Sequence, residues 1–142
     1  MARKIEVIID VIIHATEDIS KFLENFKELF EIGQEEISIQ NLRGHFDNPI
    51  TLLNIKLSKK KAENFVKKLA VGLPKDQLNE IINNIEARTV ESTLHVRLAK
   101  QKLVQGKLEL DEKDPVKVKI ITPIYNKKEV QKIFTDILSP TN

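Results

Sequence analysis

The chain has 142 residues, with 23 Lys and Arg against 21 Asp and Glu, no Cys, and 41% hydrophobic residues. This length and apolar content fit one compact domain with its own core. The absence of Cys excludes disulfides, thiol chemistry and Cys-based zinc sites, and it favours a reducing compartment. No apolar run approaches the roughly 18 residues that span a bilayer. We therefore expect a cytoplasmic protein without a membrane segment, and the abundance of Lys and Glu favours a thermophilic source.

The charges are distributed unevenly along the chain. Residues 1–50 contain five Lys and Arg but ten Asp and Glu, whereas residues 51–142 contain eighteen against eleven. A field that attracts polyanions would therefore arise from the second part of the chain.

Strand and helix signals alternate through the first half of the chain. Residues 3–13 are apolar at both odd and even positions, which predicts a central strand covered on both faces. Thr16 is a typical N-cap and predicts a helix ending near Gly33. Residues 36–43 and 50–57 have the pattern of two strands. Ser58 is the predicted cap of a second helix that stops at Gly72, and Pro74 suits the start of a third helix that includes Ile85.

The second half adds more strands and a final helix. Residues 93–100 and 116–122 alternate between apolar and polar side chains, residues 107–110 are a predicted short return strand, and Asn126 is the predicted cap of the last helix. The order predicts an α+β domain over residues 1–138, with a single mostly antiparallel sheet and helices packed on one face, and a frayed tail over residues 139–142. The other sheet face should be polar and open, or should pair with a second copy. It would carry Gln40, Lys56, His95, Arg97, Lys117 and Lys119.

Two segments contain the candidate binding residues. The first is the connection after residue 42, where Arg43 could pair with a phosphate, His45 follows, and Asn48 could bond a base edge or a sugar hydroxyl. The alternative is that Asn48 and Gly44 only build a turn that His45 fixes.

The second segment is the stronger candidate. Residues 92–108 contain no acid, and they include Arg97, Lys100, Gln101 and Lys102. Such a cluster suits recognition of RNA by shape and backbone, whereas the alternative is a solvated strand end.

The sequence shows no set of catalytic residues as clear as these two candidate binding segments. The three histidines, His14, His45 and His95, match no metal-ligand spacing, and no nucleophile or carboxylate partner is indicated. The four glycines form neither common phosphate-binding loop. The sequence therefore predicts no enzyme, no metal and no cofactor.

Four short motifs follow one another along the chain. They are His14-Ala15-Thr16-Glu17-Asp18, residues 44–50 (GHFDNPI), residues 97–101 (RLAKQ) with Gly106, and Asp114-Pro115 before an alternating strand. In this ordered series the chain resembles an archaeal family of predicted RNA-binding exosome subunits. The resemblance implies an α+β fold similar to the large-subunit ribosomal protein that holds 5S RNA. Two positions depart from the family's usual pattern, because the family often has Gly where Asp47 stands and Asp where Ala99 stands.

The leading hypothesis is a non-catalytic protein that binds structured RNA, in connection with RNA processing or with exosome proteins. Its site would be Arg43, His45, Asn48, Arg97, Lys100, Gln101 and Lys102. The alternative is a homodimeric interaction module that uses the open sheet face.

Overall fold

The computed structural model describes residues 4–43 and 48–139. Most of the predicted tail and residues 44–47, which include His45, lie outside the described residues. The described strands are β1 (Glu6–His14), β2 (Ile37–Arg43), β3 (Pro49–Ser58), β4 (Thr89–Val90), β5 (Thr93–Leu98) and β6 (Val116–Ile121). The described helices are α1 (Ile19–Phe30), α2 (Lys59–Gly72), α3 (Lys75–Asn83), α4 (Ile85–Arg88), α5 (Lys100–Leu103) and α6 (Val130–Leu138).

The strands form one antiparallel sheet in the order β2-β3-β1-β6-β5-β4. Ile9 lies opposite Ile55 of β3 and Val118 of β6, and all three are buried. Because facing residues of antiparallel strands project to the same side, this register puts the buried residues of neighbouring strands on one face. The predicted α+β class with a single sheet is confirmed.

The core lies between this face and the helices. Phe22 and Phe26 of α1, Phe65 of α2 and Phe134 of α6 are almost completely buried. The rings of Phe30 and Phe65 lie 4.3 Å apart between centroids. Each buried aromatic side chain contributes about 2–3 kcal/mol by leaving water, so these rings stabilise the helix layer on the sheet.

The prediction that the first strand is covered on both faces is wrong. Val7, Ile9, Val11 and Ile13 are buried, but Ile12 on the other face is 41% exposed. The described helices pack on one side of the sheet, so the apolar residues at even positions of β1 remain accessible.

The first helix begins later than predicted. Asp18, not Thr16, is its N-cap, and the Asp18 carboxylate accepts a hydrogen bond from the backbone N–H of Ser20 at 3.0 Å. Residue 17 belongs to the preceding turn, where the N–H of Glu17 donates to the carbonyl of His14 at 2.9 Å. The helix ends at Phe30, three residues before Gly33, and Glu31 rather than a glycine takes the left-handed conformation at its C-terminus.

Ser58 occupies the N-cap position of α2 as predicted, although its side chain makes no capping bond. Other boundaries differ from the predictions. The predicted third helix divides at Asn84 into α3 and α4. β5 ends at Leu98, because Lys100 begins the short helix α5. The predicted strand over residues 107–110 is reduced to one bridge between Leu98 and Leu110.

Among the described residues, no helix is both long and apolar enough to cross a membrane.

Candidate nucleic-acid interface

The residues of the predicted site lie at or near strand ends, towards one end of the sheet. β1 ends at His14, opposite Ile50, and β2 ends at Arg43, opposite Pro49. Asn48 is exposed just before β3. Four strand spacings of about 4.8 Å separate β2 from β5. In the register Arg97 is level with Ser38 of β2, so Arg43 is also five residues further along the strand, and the two arginines lie on the order of 25 Å apart. The two predicted segments therefore lie towards the same end of the sheet but do not converge on one point.

Lys100 does not face solvent. Its side chain is 4% exposed, and its ammonium donates to Glu17 Oε1 at 3.1 Å, to Asp114 Oδ2 at 3.0 Å and to the carbonyl of Ile12. These bonds satisfy the three donors of a lysine ammonium. The expectation that Lys100 is an open cation is therefore wrong, because carboxylates distant in sequence neutralise it.

Asp114 is the centre of this ion network. Its Oδ2 also lies 3.1 Å from His14 Nε2. Burial alone would raise the pKa of the Asp114 carboxyl, but the hydrogen bond and charge of Lys100, together with His14, outweigh burial and lower that pKa below its usual value. The carboxylate is thus ionised at neutral pH and holds the Lys100 ammonium in place.

The ion network also bears on metal binding. Ligand atoms of His14, Glu17 and Asp114 lie within 4.8 Å of one another, which is close enough for a shared ion. The Lys100 ammonium already bonds both carboxylates and supplies the positive charge between them. A set of three histidines is not formed by the described part of the chain, because β6 separates His14 on β1 from His95 on β5.

Carboxylates also accompany the other cations of the second segment. Arg97 Nη1 bonds Glu112 Oε1 at 3.1 Å, and Lys102 Nζ lies 3.5 Å from Glu109 Oε2. Gln101 is exposed. The expected lack of local neutralisation is therefore wrong. The acids follow the acid-free window and fold back onto it, since Asp111 N–H donates to the carbonyl of Arg97 at 3.1 Å.

The open face of β5 and β6 brings four basic residues together. In the strand register, His95 faces Lys119 and Arg97 faces Lys117. We call His95, Arg97, Lys117 and Lys119 the basic array. Sequence alternation predicted their shared face, but only Arg97 was among the predicted site residues. The missed signal is the matching alternation of β6, whose Lys117 and Lys119 repeat the polar positions of β5.

Two carboxylates border the basic array. Glu112 bonds Arg97, and Asp10 of β1 lies opposite Lys117 in the register. Asp10 Oδ1 accepts a hydrogen bond from Asn54 at 2.6 Å. Like charges that face each other across strands destabilise a sheet by a few tenths of a kcal/mol or more, and Glu112 and Asp10 offset part of the repulsion between Arg97 and Lys117.

The other half of the open face is more apolar than predicted. Ile12 is 41% exposed and Leu42 is 39% exposed, and the partly buried Ile50 and Leu52 lie between them in the register. We call these four residues the apolar half. The open face thus carries the basic array on β5–β6 and, on β1–β3, the apolar half, which lies among polar residues such as Asp10, Asn54 and Lys56.

Comparisons with known proteins identify the family of this chain. A family model described as RNA binding matches residues 6–122. A Pyrococcus abyssi protein named as an RNA-binding protein is 28% identical over 124 residues, which cover 82% of this chain and 80% of that protein. An uncharacterized protein of Methanocaldococcus jannaschii is 26% identical over 141 residues, with 92% and 95% coverage.

A solved structure is also similar to this chain. The crystal structure of an Archaeoglobus fulgidus protein superposes with a TM-score of 0.78 at 31% identity, and the match covers 93% of this chain and 97% of that one. The matched family model extends from β1 through β6 and includes the basic array and Lys100 with its partners. The chain therefore belongs to the family whose model is described as RNA binding.

Proposed function

We propose that this protein binds structured RNA without catalysis and that the basic array is the centre of its binding surface. The observation that supports this most directly is the cross-strand pairing of Arg97 with Lys117 and of His95 with Lys119 on an open sheet face. Membership in the RNA-binding family supports the same conclusion.

A sheet surface suits RNA that is recognised by its shape. Phosphates along an A-form helix follow one another at regular spacing, and adjacent strands about 4.8 Å apart present cations at comparable spacing. Lys117 and Lys119 have no ion-pair partner within 4.0 Å among residues 4–43 and 48–139. Both ammonium groups are therefore available to phosphate.

The residues predicted from the sequence have different roles in this proposal. Arg97 belongs to the array, and Gln101 and Lys102 follow it closely along the chain. Arg43 and Asn48 are exposed on the far side of the sheet, at the end of β2 and before β3, where only a longer RNA would also reach them. His45 stays a prediction, since it lies outside the described residues. Lys100 supports the surface from inside, because its ammonium is fully engaged with the protein.

The salt dependence of RNA affinity tests the proposal. Each cation that contacts a phosphate adds about 0.7–0.9 to the slope of log affinity against log salt concentration. We expect the double variant Lys117→Gln and Lys119→Gln to flatten the slope by about 1.5, measured by fluorescence anisotropy with a labelled RNA hairpin. Lys60→Gln with Lys75→Gln is the matched control, because both residues are exposed at helix starts and the net charge changes equally. An unchanged slope, or equal flattening in the control, would refute the basic array as the RNA surface.

Two finer proposals concern partners. The resemblance to predicted exosome subunits supports a role in RNA processing beside exosome proteins. The apolar half supports a second candidate function, self-association through the open face, because Ile12 and Leu42 leave apolar surface exposed there.

A further inference from the structure

A cavity of about 630 Å³, lined mostly by polar side chains, lies beside the basic array at the outer edge of the sheet. Helices α3 and α4 form one wall, β5 forms the other, and His95 and Arg97 line both the cavity and the array. Its volume falls in the range of about 300–1,000 Å³ that is usual for small-ligand sites. A groove of this size could take one unit of a polymer that lies across the array.

The cavity has unused hydrogen-bond donors. Arg88 Nη2 bonds Glu80 Oε2 at 2.7 Å, and Arg97 Nη1 bonds Glu112 Oε1 at 3.1 Å. A guanidinium has five N–H donors, so these bonds leave several unpaired. Arg88 Nε is buried, and the described residues supply it with no acceptor. A buried donor without a partner costs about 1–3 kcal/mol, so an acceptor from a ligand would be favourable there.

The cavity also has acceptors, which restrict the ligand. Glu80 and Glu112 would repel a bare phosphate that entered between them, so a ligand must bring donors as well as an anion. Burial lowers the pKa of His95, and the charges of Lys119 and Arg97 lower it further. The ring is therefore neutral at neutral pH and can both donate and accept. Ala87 and the exposed Val90 add apolar surface for the face of a planar ring.

We propose that this cavity binds a single nucleotide of the RNA that the basic array holds, with its phosphate on the Arg97 and Arg88 guanidinium groups and the amino edge of its base on Glu112. The proposal rests on the proposed RNA-binding function and adds to it a selectivity among the four bases. Guanine, cytosine and adenine carry an exocyclic amino group that can donate a hydrogen bond to a carboxylate, whereas uracil has no amino group and offers only its ring N–H. The bound nucleotide should therefore be one with an amino-bearing base.

Mononucleotides test the cavity separately from RNA. We expect 5′-GMP, 5′-CMP and 5′-AMP, titrated into the full chain, to perturb the His95 ring signals in NMR spectra, and at least one of them to bind about fivefold or more tightly than 5′-UMP. Glu112→Gln should reduce that preference, because it replaces a charged acceptor by an amide. The Glu112 side chain is 67% exposed, so this substitution should leave the fold intact. Lys60→Gln, in an exposed position outside the cavity, is the control and should retain the preference.

Several results would overturn the cavity proposal. They are equal binding of all four nucleotides, competition by inorganic phosphate as effective as that by the nucleotides, and an unchanged preference in Glu112→Gln. An RNA hairpin measured in the same buffer separates the two proposals. Hairpin binding without mononucleotide binding would refute the cavity and uphold the proposed function. Mononucleotide binding without hairpin binding would uphold the cavity as a nucleotide site and refute the proposed function.

Discussion

Lys100 shows how one side chain can join distant parts of the chain. Its ammonium links the end of β1, through the carbonyl of Ile12, to Glu17 before α1 and to Asp114 before β6. A buried ammonium is tolerated only when its charge and donors are satisfied, and this one has two carboxylates and a carbonyl. The residue that sequence patterning assigned to RNA therefore has a structural role.

We expect Lys100→Met to lower the free energy of unfolding by about 3 kcal/mol, because it leaves Glu17 and Asp114 without their cation. Chemical denaturation followed by circular dichroism measures this. Lys102→Met is the matched control. The Lys102 side chain is 43% exposed and lies 3.5 Å from its carboxylate, so its loss should cost less than about 1 kcal/mol. Similar small losses in both variants would contradict a structural role for Lys100.

The connection after α5 decides which cations of the second segment are neutralised. Gly106 has a φ of +78°, in the region that favours glycine, and its N–H donates to the carbonyl of Leu103 at 2.9 Å. The chain then reverses, and the N–H of Ala99 donates to the carbonyl of Glu109 at 2.8 Å. This reversal brings Glu109 and Glu112 to Lys102 and Arg97.

We expect Gly106→Ala to reduce the free energy of unfolding by about 1 kcal/mol, because an L-residue with a Cβ adopts this φ only at a cost. A Cβ there would lie 3.5 Å from Asn25 Oδ1, an ordinary contact, so the loss would come from the backbone conformation. Gly106→Asn should lose less, since asparagine tolerates the left-handed region better than alanine. Equal thermal denaturation midpoints for the two variants would argue against this explanation.

At the scale of the whole molecule, the open sheet face carries two surfaces of different chemistry. The basic array suits a polyanion, and the apolar half suits a protein surface or a second copy. They lie side by side on one sheet, because the described helices occupy the opposite face. RNA and a protein partner could therefore be bound together without competing for the same residues.

We expect the tagged chain to retain RNA from native lysate and to retain exosome proteins after nuclease treatment, because the apolar half does not depend on nucleic acid. Mass spectrometry identifies the retained proteins. Loss of every partner after nuclease would show that RNA alone bridges them. Light scattering of the nuclease-treated chain gives its solution mass, and a monomer that persists at high concentration would exclude self-association.

Local pattern was enough to predict the α+β class, the single sheet, and the shared face of His95, Arg97, Lys117 and Lys119, because alternation along a strand depends on backbone geometry alone. The short helix at Lys100 and the exposure of Ile12 depended on contacts between distant segments. The same is true of the charge balance. The window over residues 92–108 is free of acid in sequence, yet tertiary folding brings Glu17, Glu112 and Asp114 to its cations. Ion pairing depends on distances in space, so only the folded structure decided which cations remain available to a ligand.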